Sequence, residues 1–110
     1  PVGITKRLSF SSNDSLRPSI SAADGRSWVA CSWDQIIDGY REIIWKENGN
    51  YGEGSWPNTK RLTFLPGNSG CPSISYFPRV DAENPDTCHV VYMDNTRVSG
   101  NYEILFRTGW

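Results

Sequence analysis

Two blocks of this 110-residue chain recur in a single register. Thr5-Lys6-Arg7-Leu8-Ser9-Phe10 returns as Thr59-Lys60-Arg61-Leu62-Thr63-Phe64, and Pro18-Ser19-Ile20-Ser21 returns as Pro72-Ser73-Ile74-Ser75, both 54 residues further on. Asp34 finds Asp94 at an offset of 60, and Glu42-Ile43-Ile44-Trp45-Lys46 finds Glu103-Ile104-Leu105-Phe106-Arg107 at 61, so the second copy carries a few inserted residues. The insertion falls around Phe77 to Thr87, a Pro- and Asp-containing stretch that reads as loop. A repeat of this length describes units that cannot bury their own apolar faces and must stack on their neighbours. The chain therefore reads as one two-unit domain over residues 1–110, with repeat 1 at about 5–58 and repeat 2 at about 59–110.

Strands dominate the pattern, with one segment that argues otherwise. Trp33, Ile36, Ile37, Tyr40, Ile43 and Ile44 recur at helical spacing, so Ser32 to Glu47 alone reads as an amphipathic helix. The repeat overrules it, because the counterpart Asp94 to Asn101 is a turn-forming sequence between two apolar runs. Gly39 then sits in a hairpin loop. Each unit resolves into strands at Ser19 to Ala23 and Ser73 to Phe77, Trp28 to Trp33 and Cys88 to Met93, and Arg41 to Lys46 and Tyr102 to Arg107. A fourth follows in Trp56 to Phe64, and its repeat mate is Gly3 to Phe10. The runs Ile43-Ile44-Trp45, Val90-Val91-Tyr92-Met93 and Ile104-Leu105-Phe106 do not alternate with polar residues, which predicts sheets covered on both faces. An antiparallel four-stranded sheet flanked by copies of itself is a propeller blade, and the 14 aromatic residues supply bulk for such packing.

Eleven basic and twelve acidic residues are interspersed, with a formal charge of -1, so neither nucleic acid nor an anionic membrane is expected as a partner. No stretch approaches the roughly 20 apolar residues of a membrane span. The first residues lack the order of a signal peptide, and a mature secreted chain looks the same, so location stays open, with an extracellular or cell-surface place favoured. Cys31, Cys71 and Cys88 cannot all pair within one chain, and no two have the spacing of a zinc site. Adjacent Cys88 and His89 point to opposite faces of a strand, so no metal and no cofactor is expected, and the cysteines read as small buried hydrophobes.

The series Leu62-Thr63, Pro72-Ser73-Ile74-Ser75, His89-Val90-Val91-Tyr92-Met93-Asp94 and Tyr102-Glu103-Ile104-Leu105-Phe106-Arg107 resembles a blade of the sialidase-like, Asp-box class of β-propellers. The first unit matches through Pro18-Ser19-Ile20-Ser21, Trp33-Asp34 and Glu42-Ile43-Ile44-Trp45-Lys46. The Asp-box is degenerate: Asn50-Tyr51-Gly52-Glu53-Gly54-Ser55-Trp56 keeps glycines and Ser-Trp but has no aspartate. Sialidases of the class use an arginine trio, the first in Arg-Ile-Pro, and the nearest match is Leu16-Arg17-Pro18-Ser19-Ile20.

Two blades are too few to close a propeller, which typically takes four to eight. The expected fold is all-β, two four-stranded antiparallel blades completed into a closed propeller by head-to-tail association of identical chains. Residues 3–10 serve as the outer strand of a neighbour's last blade, with three chains and six blades favoured. The competing expectation is a piece of a longer propeller.

In either case one end gathers Asp14, Arg17, Asp34 and Asp38 from unit one with Asn68, Asp94, Asn95 and Arg97 from unit two, above Trp33 and Tyr92. Aromatic platforms beside Asp, Asn and Arg suit sugars, so the expected function is noncatalytic, lectin-like glycan binding by Arg17, Trp33, Asp34, Tyr92, Asp94, Asn95 and Arg97. Packing is the competing role for Trp33 and Tyr92, and hairpin anchoring for Asp34 and Asp94. Other classes are a sialidase-like glycoside hydrolase, with Asp34 and Asp94 as its carboxyl pair and Arg17 beside them, and a protein-binding scaffold.

Overall fold

The computed structural model describes residues 5–22, 27–56, 58–64, 66–77, 87–98 and 100–108. These form two antiparallel sheets and no helix. The first sheet runs in chain order through β1 (Ser15–Ala22), β2 (Val29–Ile37), β3 (Tyr40–Asn48) and β4 (Asn58–Arg61). The second runs through β5 (Ser69–Phe77), β6 (Thr87–Val98) and β7 (Asn101–Thr108).

The helical spacing of Ser32 to Glu47 belongs to a hairpin. Ile37 pairs with Tyr40 across Asp38 and Gly39, whose φ values of 52° and 86° are those of the two-residue turn that matches strand twist. The expected turn from Asp94 to Asn101 is narrower than its sequence implied, because β6 continues to Val98 before pairing with Asn101. Residues 5–10, expected as a strand with Gly3 and Ile4, form no ladder with any described strand, and residues 3 and 4 lie outside the described residues. The expected loop between Phe77 and Thr87 falls on residues 78–86, likewise outside them.

The repeated prolines mark a repeated irregularity. Leu16 pairs with Asp34 and Ser19 with Ser32, so Arg17 and Pro18 bulge opposite Trp33; Cys71 and Pro72 bulge in the same way opposite Tyr92. A proline has no N–H for a ladder and is tolerated at such a bulge on an edge strand. Arg17 and Cys71 take φ values of 53° and 50°, a left-handed conformation uncommon outside glycine.

The sheets face each other through Ala30, Ile43, Trp45 and Leu62 on one side and Ile74, Cys88, Val90 and Tyr92 on the other. Burying one such aliphatic side chain contributes about 1.5–3 kcal/mol. Edge strands β1 and β5 lie side by side, joined by hydroxyls: Ser19 Oγ accepts from Ile74 N at 3.1 Å, and Ser21 Oγ from Tyr76 N at 3.0 Å. The Ser-x-Ser of the first repeat thus satisfies backbone donors of the second.

Both faces of the first sheet are covered, as its unbroken apolar runs predict. Its outer face carries Cys31, Trp33 and Ile44, packed by Leu8, Ile37 and Trp56. The second sheet differs, because its outer face leaves Ile104 and Phe106 73% and 62% exposed.

Candidate functional site

The β2–β3 turn, the segment entering β5 and the β6–β7 hairpin meet at one end of the sheets. Asn68 ties them together: its Oδ1 accepts from Arg41 N at 2.8 Å, its N donates to Asn95 Oδ1 at 2.7 Å, and its carbonyl accepts from Asn95 N at 3.1 Å. Close approach requires a glycine at 67, since a Cβ there would lie 2.4 Å from Thr96 Oγ1 and 2.6 Å from Asn95 Oδ1. Between these segments lies a cleft of about 300 Å³ lined by Tyr40, Asn68, Asn95 and Thr96 with Gly67 and Gly100. Tyr40 is exposed. The side-chain oxygens of Asn68 and Asn95 are held by backbone N–H groups, which leaves their amide nitrogens as donors.

A charged cluster adjoins the cleft. Asp34 is fully buried and accepts from Arg17 Nε at 2.7 Å, Arg17 Nη2 at 2.9 Å, Arg41 Nη1 at 2.6 Å and Cys71 N at 2.9 Å. Two guanidinium groups on one carboxylate leave the cluster with a net positive charge. Arg17 is 43% exposed, and its hydrogen bond to Asp34 raises its already high pKa, so it stays a cation. Gly70 gives it room, because a Cβ there would stand 3.2 Å from Arg17 Nη2.

Asp94 is fully buried in a different setting. Its Oδ2 accepts from Ser69 Oγ at 2.6 Å and Thr96 Oγ1 at 3.1 Å, and its Oδ1 accepts from Thr96 N at 2.8 Å. The strand registers correct the matching of Asp34 with Asp94. Ser15 pairs with Gln35, and its repeat mate Ser69 pairs with Asp94; Gln35 also lies opposite Glu42 as Asp94 lies opposite Glu103. Asp94 therefore occupies the place of Gln35, with Met93 in the place of Asp34. Both serines reinforce this, Ser15 Oγ bonding Gln35 Oε1 at 3.2 Å where Ser69 bonds Asp94.

The expected site residues separate accordingly. Arg17, Asp34, Asn68 and Asn95 come together through Arg41, and Asp94 supports the hairpin that carries Asn95 and Thr96. Trp33 is buried in the outer cluster of the first sheet with its Nε1 bonded to Gln35 Oε1 at 3.1 Å, and Tyr92 is buried between the sheets. Neither offers an open ring face. Burial also raises the Tyr92 hydroxyl pKa. Asp14, Asp38 and Arg97 are exposed. Every carboxylate oxygen of Asp34 and of Asp94 accepts a hydrogen bond inside the protein, and both side chains are fully buried.

Sequence reasoning missed Tyr40, Arg41 and Thr96. The signal for the first two was their place beside the Asp38-Gly39 turn; Thr96 follows Asp94 at the two-residue spacing of a side-chain-to-backbone turn. Cys88 and His89 face opposite sides of β6, with Cys88 in the core and His89 stacked on Phe106 at 5.5 Å. Among the described residues no cluster of three or more His, Cys, Asp or Glu is arranged to hold a metal ion.

This architecture, two antiparallel sheets of four and three strands packed face to face, defines the class as all-β. No protein-family model, curated protein or solved structure matches the chain.

Proposed function

We propose that the chain is a noncatalytic glycan-binding unit of two propeller blades that associates head to tail with copies of itself. The observation that carries the binding reading is the end cleft, where an exposed Tyr40 ring stands beside the amides of Asn68 and Asn95 and the Thr96 hydroxyl. An aromatic ring covers the C–H face of a sugar, while amide and hydroxyl groups bond its hydroxyls. Arg17 and Arg41 give the surroundings a positive bias that suits neutral or acidic sugars. The test is binding to an array of immobilised glycans. Specific binding that Tyr40→Ala lowers by roughly tenfold, the scale of one lost ring contact, supports the reading; absence of binding to any glycan, or binding indifferent to Tyr40 and Asn95, overturns it.

Association is supported by the likeness of inner and outer faces. In register, Ile104 and Phe106 of the second sheet correspond to Ile43 and Trp45 of the first, which are buried against the second sheet. Likewise Trp33 and Ile44, on the outer face of the first sheet, correspond to Tyr92 and Leu105, which face the first from the second. The two outer faces thus repeat the pair of surfaces already joined inside the chain. Ser73 is exposed in the place of Ser19, ready for the same hydroxyl bridge. Three chains would make six blades, a closed number. Light scattering after size exclusion, with reductant present and at several concentrations, tests it: a discrete mass of three chains is expected, and a monomer throughout overturns association.

A further inference from the structure

Two contacts to carbonyl groups repeat across the molecule. Arg107 Nη1 on β7 donates to Leu62 O at 2.6 Å, and Lys46 Nζ, at the matching place on β3, donates to Leu8 O at 2.8 Å. Leu62 packs into the cluster between the sheets, and Leu8 packs on Cys31, Trp33 and Ile44 outside the first sheet. The local shape repeats as well. Arg7 Nε donates to Ser9 O and Arg61 Nε to Thr63 O, each at 2.8 Å, while the two guanidinium groups lie 5.0 and 4.6 Å from the ring centres of Phe10 and Phe64. Residues 5–10 therefore sit against the first sheet as residues 59–64 sit against the second. One difference remains: Thr59 to Arg61 belong to β4 and pair with β3, whereas residues 5–10 belong to no described sheet.

We propose that residues 5–9 of one copy form the outer strand of the second sheet of another copy, in a register that places Arg7 opposite Leu105, Lys6 opposite Phe106 and Thr5 opposite Arg107. The identity of the partner rests on the head-to-tail reading; the register does not. It follows from β4 on β3, where Arg61 lies opposite Ile44, Lys60 opposite Trp45 and Thr59 opposite Lys46. The same transposition assigns the flanking bonds. Leu62 N donates to Ile43 O at 2.8 Å, so Leu8 N meets Ile104 O. Thr63 Oγ1 accepts from Ile43 N at 2.9 Å and donates to Glu42, so Ser9 Oγ takes Ile104 N and donates to Glu103. Arg61 Nη2 stands 3.4 Å from Glu42 Oε1, so Arg7 meets Glu103.

Chemistry agrees with this placement. Arg7 and Glu103 are exposed within one chain and opposite in charge. Among the described strands β7 pairs only with β6, and an open strand edge is a template for an added strand. The added strand arrives shaped, since its arginine and phenylalanine are already set as in the ladder-bound copy. Less ordering entropy then opposes association.

Paired cysteines test the register. In a Cys71→Ser background, Lys6→Cys with Phe106→Cys is oxidised mildly and run on a non-reducing gel beside Thr5→Cys with Phe106→Cys, slipped by one residue. Both Lys6 and Phe106 are exposed, and the changes remove one surface contact each, the Lys6 bond to Gly54 O and the Phe106 stacking on His89. Directly opposite residues bring their Cβ atoms into disulfide range, whereas a one-residue slip turns one of them to the other face. The expected result is cross-linked multiples of the chain, with roughly tenfold less from the slipped pair, the selectivity expected of disulfide geometry. A charge-reversal series needs no cross-link: Arg7→Glu and Glu103→Arg each weaken association in light scattering, and the double variant restores it. An assembled protein with no register preference and no restoration overturns the strand proposal while leaving head-to-tail association intact. A monomer at every concentration overturns both.

Discussion

Arg17 closes on Asp34 with two nitrogens, Nε to Oδ2 at 2.7 Å and Nη2 to Oδ1 at 2.9 Å, and so ties the bulge of β1 to the middle of β2. The same carboxylate takes the backbone N–H of Cys71, the bulged residue of the second sheet. One buried side chain thus anchors two left-handed bulges and the Arg41 end of the β2–β3 turn. A fully desolvated carboxylate is tolerated because every oxygen is bonded, two of its partners being cations.

Asp34→Asn is expected to lower stability by about 3 kcal/mol, the scale for removing one member of a buried charged network. Arg17→Gln is expected to cost about 1 kcal/mol, because Arg17 is much more exposed and Arg41 remains. Urea unfolding of the two variants checks the order. Equal and small losses would show that the cluster is not the anchor of the bulges.

Ser19 and Ser21 are predicted to matter within one chain, and Ser73 only between chains. Ser19→Ala and Ser21→Ala each leave a backbone N–H of β5 without its acceptor, at a cost of about 1–2 kcal/mol. Ser73→Ala leaves the unfolding of the isolated chain within about 0.5 kcal/mol, as expected of a surface change, but weakens assembly. Comparing unfolding at low concentration with the concentration dependence of the solution mass separates the effects. Loss of single-chain stability in Ser73→Ala would contradict the assignment.

The repeat made much of this legible. It exposed the β2–β3 hairpin beneath a helical spacing and placed Pro18 and Pro72 at equivalent positions. It misled at Asp34 and Asp94, where identity of residue type favoured an offset of 60. The registers of Ser15 with Gln35 and Ser69 with Asp94 give 59 instead. A slip of one residue turns a side chain to the other face of a sheet, so the error exchanged inward and outward positions along β6. The cleft was not legible, because Tyr40, Asn68 and Asn95 meet only through the packing of two units. For Trp33 and Tyr92 the sequence left packing beside the platform role, and their burial in the two clusters decides for packing.

The thiols are predicted to divide by burial. Cys71 is exposed, whereas Cys31 and Cys88 are buried, which raises both of their pKa values, that of Cys88 to about 11. A thiolate is the reactive form, so near pH 8 a disulfide reagent is expected to label Cys71 rapidly in the native chain and all three after denaturation. In the assembled protein the comparison belongs to the dissociated chain. Rapid native labelling of Cys88 would contradict its place in the core.

Glu42 supplies a prediction with a definite sign. Its carboxyl group is almost fully buried at the end of β4, hydrogen-bonded by the Thr63 hydroxyl, with Arg61 Nη2 3.4 Å from Oε1. Desolvation outweighs these favourable partners and raises the pKa above the ordinary carboxylate value. A raised folded pKa means that folding favours the protonated form. The stability gained from that preference is fully present below the unfolded pKa and is lost as pH rises through the folded value. Glu42→Gln keeps a group able to hydrogen-bond Thr63 but has no proton to lose. The difference in Tm, variant minus parent, is therefore expected to increase between pH 4 and pH 7, the range spanning roughly an ordinary carboxylate pKa and neutrality. Parallel thermal unfolding at fixed ionic strength measures it. A difference that falls over the same range would mean that the charge contact with Arg61 outweighs burial, reversing the balance assigned to this corner of the first sheet.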